Sequence, residues 1–455
     1  MVFELDTIAA VSTAPGKGAV SVIRISGPLA WEFAFCRTRL EPSCIKPRRF
    51  YYATLRYEED ELDDVLLLFF AAPDSYTGED VLEVQCHGSP FITGKILESC
   101  LNIGIRPARP GEFTYRAVLN GKMDLTQAEA VRDLIESKTA LQGKIARDMI
   151  KGRLSSRLSI IREELISIAS QMETLLEFVE EDVTPQARST LLERMDSVLV
   201  SLGELEEGYQ RGRILKDGVF TVLAGITNTG KSLVFNALSE EDRAIVTSHA
   251  GTTRDVIVEE LDLEGIPFLL HDTAGIRRDT GEIEGIGVAR SLEHFGRAAL
   301  VLFVLDSSRE WSGEDRNCWE QIRTKKVILV VNKIDLERHL EIPPEVIEAC
   351  LDMVEISALN GENLSSLIHA MVKSCWLGDQ DLSDSCLISN IRQKECLARA
   401  GKNMLQCREA YASGLSEEYP LQDLRKSMDA LGEMTGEIRS EDILDQVFRT
   451  FCIGK

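Results

Sequence analysis

Between residues 225 and 335, four short segments carry side chains whose types and spacing suit phosphate and base chemistry: Gly225-Ile-Thr-Asn-Thr-Gly-Lys-Ser232, Gly251-Thr-Thr-Arg-Asp255, Asp272-Thr-Ala-Gly275 and Asn332-Lys-Ile-Asp335. The first fits G-x4-G-K-[S/T]. Its glycines let successive backbone N–H groups curl round phosphates, Lys231 reaches the β and γ oxygens, and the Ser232 hydroxyl can ligate magnesium. Asn228, Thr229, Gly230 and Leu233 line the same loop. Thr253 offers a second hydroxyl to the metal, Asp272 can hold its shell, and the Gly275 N–H, following Thr273 and Ala274, can sense a γ-phosphate. In the last segment, after Asn332 and Lys333, the Asp335 carboxylate accepts from N1–H and N2–H2 of guanine. Adenine has neither donor on that edge, so the wrong base leaves a buried charge unpaired. Ser357 and Ala358 follow the next apolar strand and suit a backbone contact to guanine O6. The four segments, in this order, specify a GTP site.

The hydrolytic machinery departs from the Ras pattern. There a glutamine soon after Asp-x-x-Gly orients water and an arginine finger neutralises developing charge. Here Ile276 follows Gly275 and can do neither. Water must be oriented from further along, and Glu282 and Glu284 are the carboxylates available, against the plainer reading of a solvated charged loop. Asn228 places a side-chain carbonyl beside the α/β phosphates, where it can help hold a monovalent cation in the arginine's stead.

These residues need a strand–loop–helix frame, and the flanks supply it. Phe220–Ala224 reads as a buried strand and Leu233–Leu238 as the start of a helix, while Ile266–Leu270 and Met353–Ile356 read as further strands. Upstream, Ala19–Ile25, Tyr51–Tyr57, Asp64–Ala71 and Val81–Cys86 read as strands, with helices near Pro28–Arg37 and Pro90–Leu101, an α+β pattern. From Thr126, which makes a T-x-x-E capping box with Glu129, apolar residues recur at helical spacing to Leu175. Val183-Thr-Pro185 interrupts them, with Thr184 as N-cap, and a second helix over about 186–208 follows. Helical periodicity returns over 382–451. The expected architecture is therefore an α/β P-loop GTPase domain (216–378) inserted into a helical domain (123–215 and 379–455), preceded by an α+β domain (1–122).

Composition bounds the rest. The chain has 455 residues, 44% apolar and 27% charged, which is ordinary for a soluble protein of about three domains. No apolar run approaches the ~18 residues of a membrane span. The acidic start, Met1–Asp6, does not resemble a signal peptide. Eleven cysteines without a Cys-x-x-Cys pair indicate neither a disulfide framework nor a zinc site, in keeping with a reducing cytoplasm. A net charge of −23 argues against a generally RNA-coating surface, so nucleic-acid contact must be local. Lys46/Arg48/Arg49, Arg106/Arg109 and Lys144/Arg147/Lys151/Arg153/Arg157 are the candidate patches, each also readable as a solvated face.

The tail, Cys452-Ile-Gly-Lys455, reads poorly as a prenylation box, with lysine last, and otherwise as an idle end. It resembles the C-[I/L/V]-G-K terminus of the MnmE (TrmE) family of tRNA-modifying GTPases. So do Asp6-Thr-Ile-Ala-Ala10, Val22-Ile-Arg-Ile-Ser-Gly27, His87-Gly88, Gly111-Glu-Phe-Thr114 and Asn120-Gly-Lys-Met-Asp-Leu-Thr-Gln-Ala-Glu-Ala130. The resemblance implies an N-terminal domain that binds a 5-formyl- or methylene-tetrahydrofolate and forms a homodimer. It also implies an FAD-dependent partner, MnmG (GidA), in a heterotetramer that modifies C5 of wobble uridines in certain tRNAs. Matching motif positions carries folate contacts to Arg24, Glu83, Lys122 and Lys455. Potassium goes to Asn228 with Thr247, His249 and Thr252, magnesium to Ser232 and Thr253, and the water-orienting role to Glu284. The loop Thr247, Ser248, His249, Ala250, Gly251, Thr252 and Thr253 then lines the nucleotide, and Cys452 is a candidate nucleophile.

This sequence departs from that family at three places: Thr227 for the usual proline before Asn228, Ser89 for a second glycine after His87-Gly88, and Val118 for phenylalanine. A rival reading is a ribosome-assembly or regulatory GTPase acting as an RNA-binding switch. Against it stand the missing Gly-x-x-Gly loop of a KH module and a long N-terminal segment such a switch does not need.

Overall fold

The computed structural model describes residues 6–58, 60–177, 185–241, 258–272, 298–375, 388–438, 444, 447–452 and 454. The chain divides into two compact units: residues 1–132, 149–188 and 402–455 form one, and 133–148 with 189–401 form the other.

In the first unit β1 (Ile8–Val11), β2 (Val20–Ser26), β3 (Phe50–Tyr57), β4 (Asp60–Phe70), β5 (Val81–His87) and β6 (Arg106–Pro107) make one sheet in the order β3-β4-β5-β2-β1-β6. Every pairing is antiparallel except β1 with β6. Period-2 alternation turns Ile23, Ile25, Leu82 and Val84 inward, against Phe33 of α1 (Ala30–Arg37) and Ile96 of α2 (Pro90–Leu101). The same alternation puts Arg24 and Glu83, partners in register, on the opposite face. The short β1 and β6, and the helix α3 (Glu112–Leu119) built on Gly-Glu-Phe-Thr, have too few residues to show a period and are not legible in the sequence.

The helical stretch from Thr126 proves to be three helices: α4 (Leu125–Glu136), α5 (Ala140–Ile150) and α6 (Arg153–Glu177). Gly152, at φ +85°, makes the second break, in a conformation that residues with a Cβ rarely adopt. The first cap is also corrected. Asp124, not Thr126, caps α4: its Oδ1 accepts from Gln127 N at 2.9 Å while Asp124 N donates to Gln127 Oε1 at 2.9 Å, a D-x-x-Q box two residues earlier. Thr126 instead donates to Asp124 Oδ1 at 2.7 Å from inside the helix. The helix read as about 186–208 is longer, α7 (Pro185–Asp217); its proposed N-cap, Thr184, lies outside the described residues.

The second unit holds a six-stranded sheet of β7 (Val219–Ala224), β8 (Val258–Leu263), β9 (Ile266–Asp272), β10 (Leu300–Asp306), β11 (Val327–Asn332) and β12 (Asp352–Glu355). Its order is β12-β11-β10-β7-β9-β8, parallel except for the edge pair β8–β9. Because helices cover both faces, β10 and β11 are buried throughout and read as continuous apolar runs. One face packs α8 (Lys231–Glu241) through Val234 and Leu238. The other packs α9 (Gly313–Ile322) through Trp319 and Ile322, and α10 (Pro344–Ala349) through Val346. The helix α11 (Leu364–Cys375) returns to the first face with Leu367 and Met371.

Helical sequence resumes as α12 (Ile391–Ala412) and α13 (Glu418–Thr435). Within the first unit α6 packs along α13, where Arg425 pairs with Glu173 at 2.8 Å. The architecture is a P-loop GTPase domain set inside a helical domain, after an α+β domain. Among the described residues no helix is long and apolar enough to cross a membrane.

Candidate functional site

The carboxyl ends of β7, β9, β10 and β11 all open on one edge of the second sheet, the place where parallel α/β sheets hold ligands. The loop after β7 begins at Gly225, whose φ of +142° and contact with Val304 O exclude any side chain. Asn228 is held at φ +66°, a left-handed conformation that asparagine tolerates better than most residues. Thr229 is fully buried and its Oγ1 donates to Ile226 O at 3.1 Å. Lys231 Nζ lies over the same loop, donating to Ile226 O at 2.6 Å. Lys231 opens α8 and Ser232 stands in its first turn, so a helix N-terminus aims at the loop, as an anion site requires.

Asn332 ties this loop to the segment after β12. It is 1% exposed; its Nδ2 donates to Thr229 O at 3.0 Å and its Oδ1 accepts from Ala358 N at 3.0 Å. A Cβ on Gly230 would strike that Nδ2, which explains the second glycine of the motif. Lys333, at φ +66°, donates from Nζ to Asn228 O at 2.9 Å. Asp335 is exposed and accepts from Ser357 Oγ at 2.6 Å, so one carboxylate oxygen is anchored while the group faces outward. Asn228, Thr229, Gly230, Lys231, Asn332, Lys333, Asp335, Ser357 and Ala358 thus come together.

Asp306 was not singled out from the sequence. It ends β10, is 6% exposed, and pairs with Lys333 Nζ at 2.5 Å through Oδ2. Burial alone would raise its pKa, but Lys333 and two hydrogen bonds from Ser308 outweigh that and hold the carboxyl below its usual range. The available signal was an aspartate closing the apolar run Leu300–Leu305.

Thr247, Ser248, His249, Ala250, Gly251, Thr252, Thr253, Thr273, Ala274, Gly275, Glu282 and Glu284 lie outside the described residues, as does Lys455; Asp272 is described as the last residue of β9 and no further.

A second cluster occupies the outward face of the first sheet. Arg24 donates to Glu83 Oε1 from Nε at 3.0 Å and Nη2 at 2.8 Å. The guanidinium lies 5.3 Å from the Tyr76 ring centroid and 5.7 Å from that of Phe113, which holds its plane. Lys122 Nζ donates to Pro73 O at 2.9 Å, on the loop that carries Tyr76. The C-terminal tail folds back onto the end of β1 and the turn before α3: Ser12 Oγ donates to Gly454 O at 3.1 Å, Gly111 N donates to Cys452 O at 3.4 Å, and Cys452 is exposed. Gly454, at φ +98° against Val11 O, admits no side chain. Phe448 and Phe451, packed with Val118 and Leu125, pin the segment before it. Val118 therefore serves packing.

Two sequence families match the chain: the GTP-binding protein TrmE N-terminus over residues 7–122, and the MnmE helical domain over 125–452. The chain belongs to the MnmE (TrmE) family. Relatives named tRNA modification GTPase MnmE match it end to end. That of Thermotoga petrophila is 41% identical, covering 99% of this chain and 100% of its own. That of Aquifex aeolicus is 40% identical over the same shares. Among solved structures, an Era variant of Aquifex aeolicus bound to GDP·AlF4− is 25% identical, covering 41% of this chain and 66% of its own at a TM-score of 0.27. As a family member with this loop and sheet edge, the chain is a GTP hydrolase.

Proposed function

We propose that the chain is a potassium-dependent GTPase that acts in the cytoplasm on tRNA. With an FAD-dependent partner, MnmG (GidA), it adds a (carboxymethyl)aminomethyl group at C5 of certain wobble uridines, as a homodimer within a heterotetramer. The observation that carries the GTPase half is the bridge Thr229–Asn332–Ala358, which sets phosphate loop and base-recognition segments in one frame. What supports the tRNA half is full-length similarity to relatives that bear that name.

In this reading Lys231 neutralises the β/γ oxygens and the first turn of α8 donates N–H groups to them. Ser232 would hold magnesium, with Thr253, and the metal would supply charge neutralisation between the phosphates. Asn228, with Thr247, His249 and Thr252, would hold potassium. Its backbone carbonyl is already fixed by Lys333, which leaves an oxygen-bearing side chain on the exposed rim, the donor type a hard monovalent cation takes. Glu284 orients water.

Arg24, Glu83 and Lys122, with Lys455, suit tetrahydrofolate: a carboxylate for the donor edge of a pterin, cations for an anionic glutamate tail, and the Tyr76 and Phe113 rings alongside. Folate would supply a one-carbon unit there, and Cys452 is the nucleophile candidate beside it. Nucleoside mass spectrometry of wobble uridine tests the reading: cells lacking the protein should lose the C5 modification and regain it on complementation. Unchanged modification would sink it.

A further inference from the structure

Like Asn332, Lys333 turns its side chain back to the phosphate loop, and something must hold its flexible stem there. Its ammonium carries three donors on a flexible stem, and a nucleotide's phosphates compete for such a charge. Asp306 and its neighbours hold it at both ends. Asp306 Oδ2 takes the ammonium at 2.5 Å, while Ser307 Oγ donates to the Lys333 carbonyl at 2.7 Å. The other carboxylate oxygen of Asp306, Oδ1, accepts from Ser308 N at 2.9 Å and Ser308 Oγ at 2.7 Å, so the carboxylate is itself immobilised. The backbone at Lys333 and at Asn228, both at φ +66°, is the left-handed kind that persists only where surroundings impose it.

We infer that Asp306 is a positioning residue for guanine-nucleotide binding: with Ser308 it locks the Lys333 ammonium onto the Asn228 carbonyl and so fixes the phosphate loop against the base-recognition segment. This rests on the guanine-nucleotide reading of the site. Asp306 acts through Lys333. Through Lys333 it also holds the backbone carbonyl of Asn228, the residue proposed for potassium, so base recognition and cation binding share one anchor.

The test is the affinity of a fluorescent GDP for the full-length protein, with melting temperature measured in parallel. Asp306→Asn keeps the shape and an acceptor for Ser308 but removes the charge. It should weaken binding about tenfold, a change of ~1.4 kcal/mol, mainly through faster dissociation. The melting temperature should move by less than about 3 °C. Lys333→Met should weaken binding at least as much, and adding Asp306→Asn to it should cost nothing further, because the two act as one unit. Unchanged affinity in Asp306→Asn, or full additivity with Lys333→Met, overturns the inference. Should Asp306→Asn unfold the protein, Ser308→Ala decides: a loss of about two- to threefold supports the lock, and wild-type affinity overturns it. Wild-type protein that binds no guanine nucleotide would overturn both this inference and the reading beneath it.

Discussion

Asn332 Nδ2 donates to Thr229 O at 3.0 Å, joining two residues 103 positions apart in the chain. The bond is buried, and Asn332 spends its other polar atom on Ala358 N. One side chain therefore holds the loop after β7 and the Ser357-Ala358 segment together. Asn332→Ala would strand a carbonyl and an N–H, at about 1–3 kcal/mol each. Its affinity for GTP should fall at least about tenfold, measurable by titration with a fluorescent analogue.

In the proposed site, base choice would rest on Asp335. Asp335→Asn replaces an acceptor by an amide that can donate, so guanine's two donors lose their partner while xanthine's 2-oxo group gains one. GTP affinity should drop on the order of a hundredfold and xanthosine triphosphate should become the better substrate. Hydrolysis of both nucleotides by one preparation checks it; an unchanged preference would remove Asp335 from the base site.

Potassium should matter. Hydrolysis in potassium chloride should exceed that in sodium chloride by on the order of tenfold or more, and Asn228→Ala should erase the difference while still binding GDP. Equal rates in the two salts for the wild type would remove the proposed role of Asn228.

Acid should loosen the first unit through a buried charge network. Glu112, 3% exposed, accepts from Arg106 Nη1 at 2.8 Å, Arg109 N at 2.8 Å and Arg116 Nη2 at 3.1 Å, and Asp6 joins the same arginines. Burial pushes both carboxyls up, but the arginines outweigh it and hold them below 4.5 for Glu112 and 3.8 for Asp6. A carboxylate depressed in the folded state gives stability that is complete above its unfolded pKa and lost as pH falls through the folded one. Melting temperature should therefore hold above pH 4.5 and decline below it. Glu112→Gln should cost about 3–5 kcal/mol at neutral pH and flatten that acid limb.

Thiol reactivity should divide by burial. Cys36, Cys44 and Cys452 are exposed and should alkylate first in native protein. Cys100 and Cys407, buried and pushed up to about 12, should be blocked until the chain unfolds. Mass mapping after brief iodoacetamide treatment checks the order, and early labelling of Cys100 would contradict the packing of α2 on the sheet.

Much of the fold was legible because long elements carry long patterns. The buried strands around Val222 and Leu302 and the helical spacing of Leu158, Ile161, Leu165 and Met172 all repeat often enough to read. What failed were short elements and ends. Two-residue β6 has no period, the break at Gly152 hid inside an uninterrupted apolar rhythm, and the cap moved from Thr126 to Asp124 because both offer an oxygen three residues before a Gln or Glu. That Asn228-Thr-Gly-Lys231, Asn332-Lys-Ile-Asp335 and Ser357-Ala358 would come together was legible because these segments keep fixed chemistry at fixed spacing. Asp306 was not, since its role depends on a partner, Lys333, far along the chain.

What the sequence alone carried were the proposed ligand motifs and the tail that resembles the family's, since each is written in contiguous residues. Tertiary structure decided the couplings: Asn332 across to Thr229, Asp306 through Lys333 to Asn228, and Gly454 folded onto Val11. The division has a physical cause. Hydrogen bonds and ion pairs are chosen by distances of about 3 Å, and separation along a chain says nothing about those distances until the sheet has set its strands side by side.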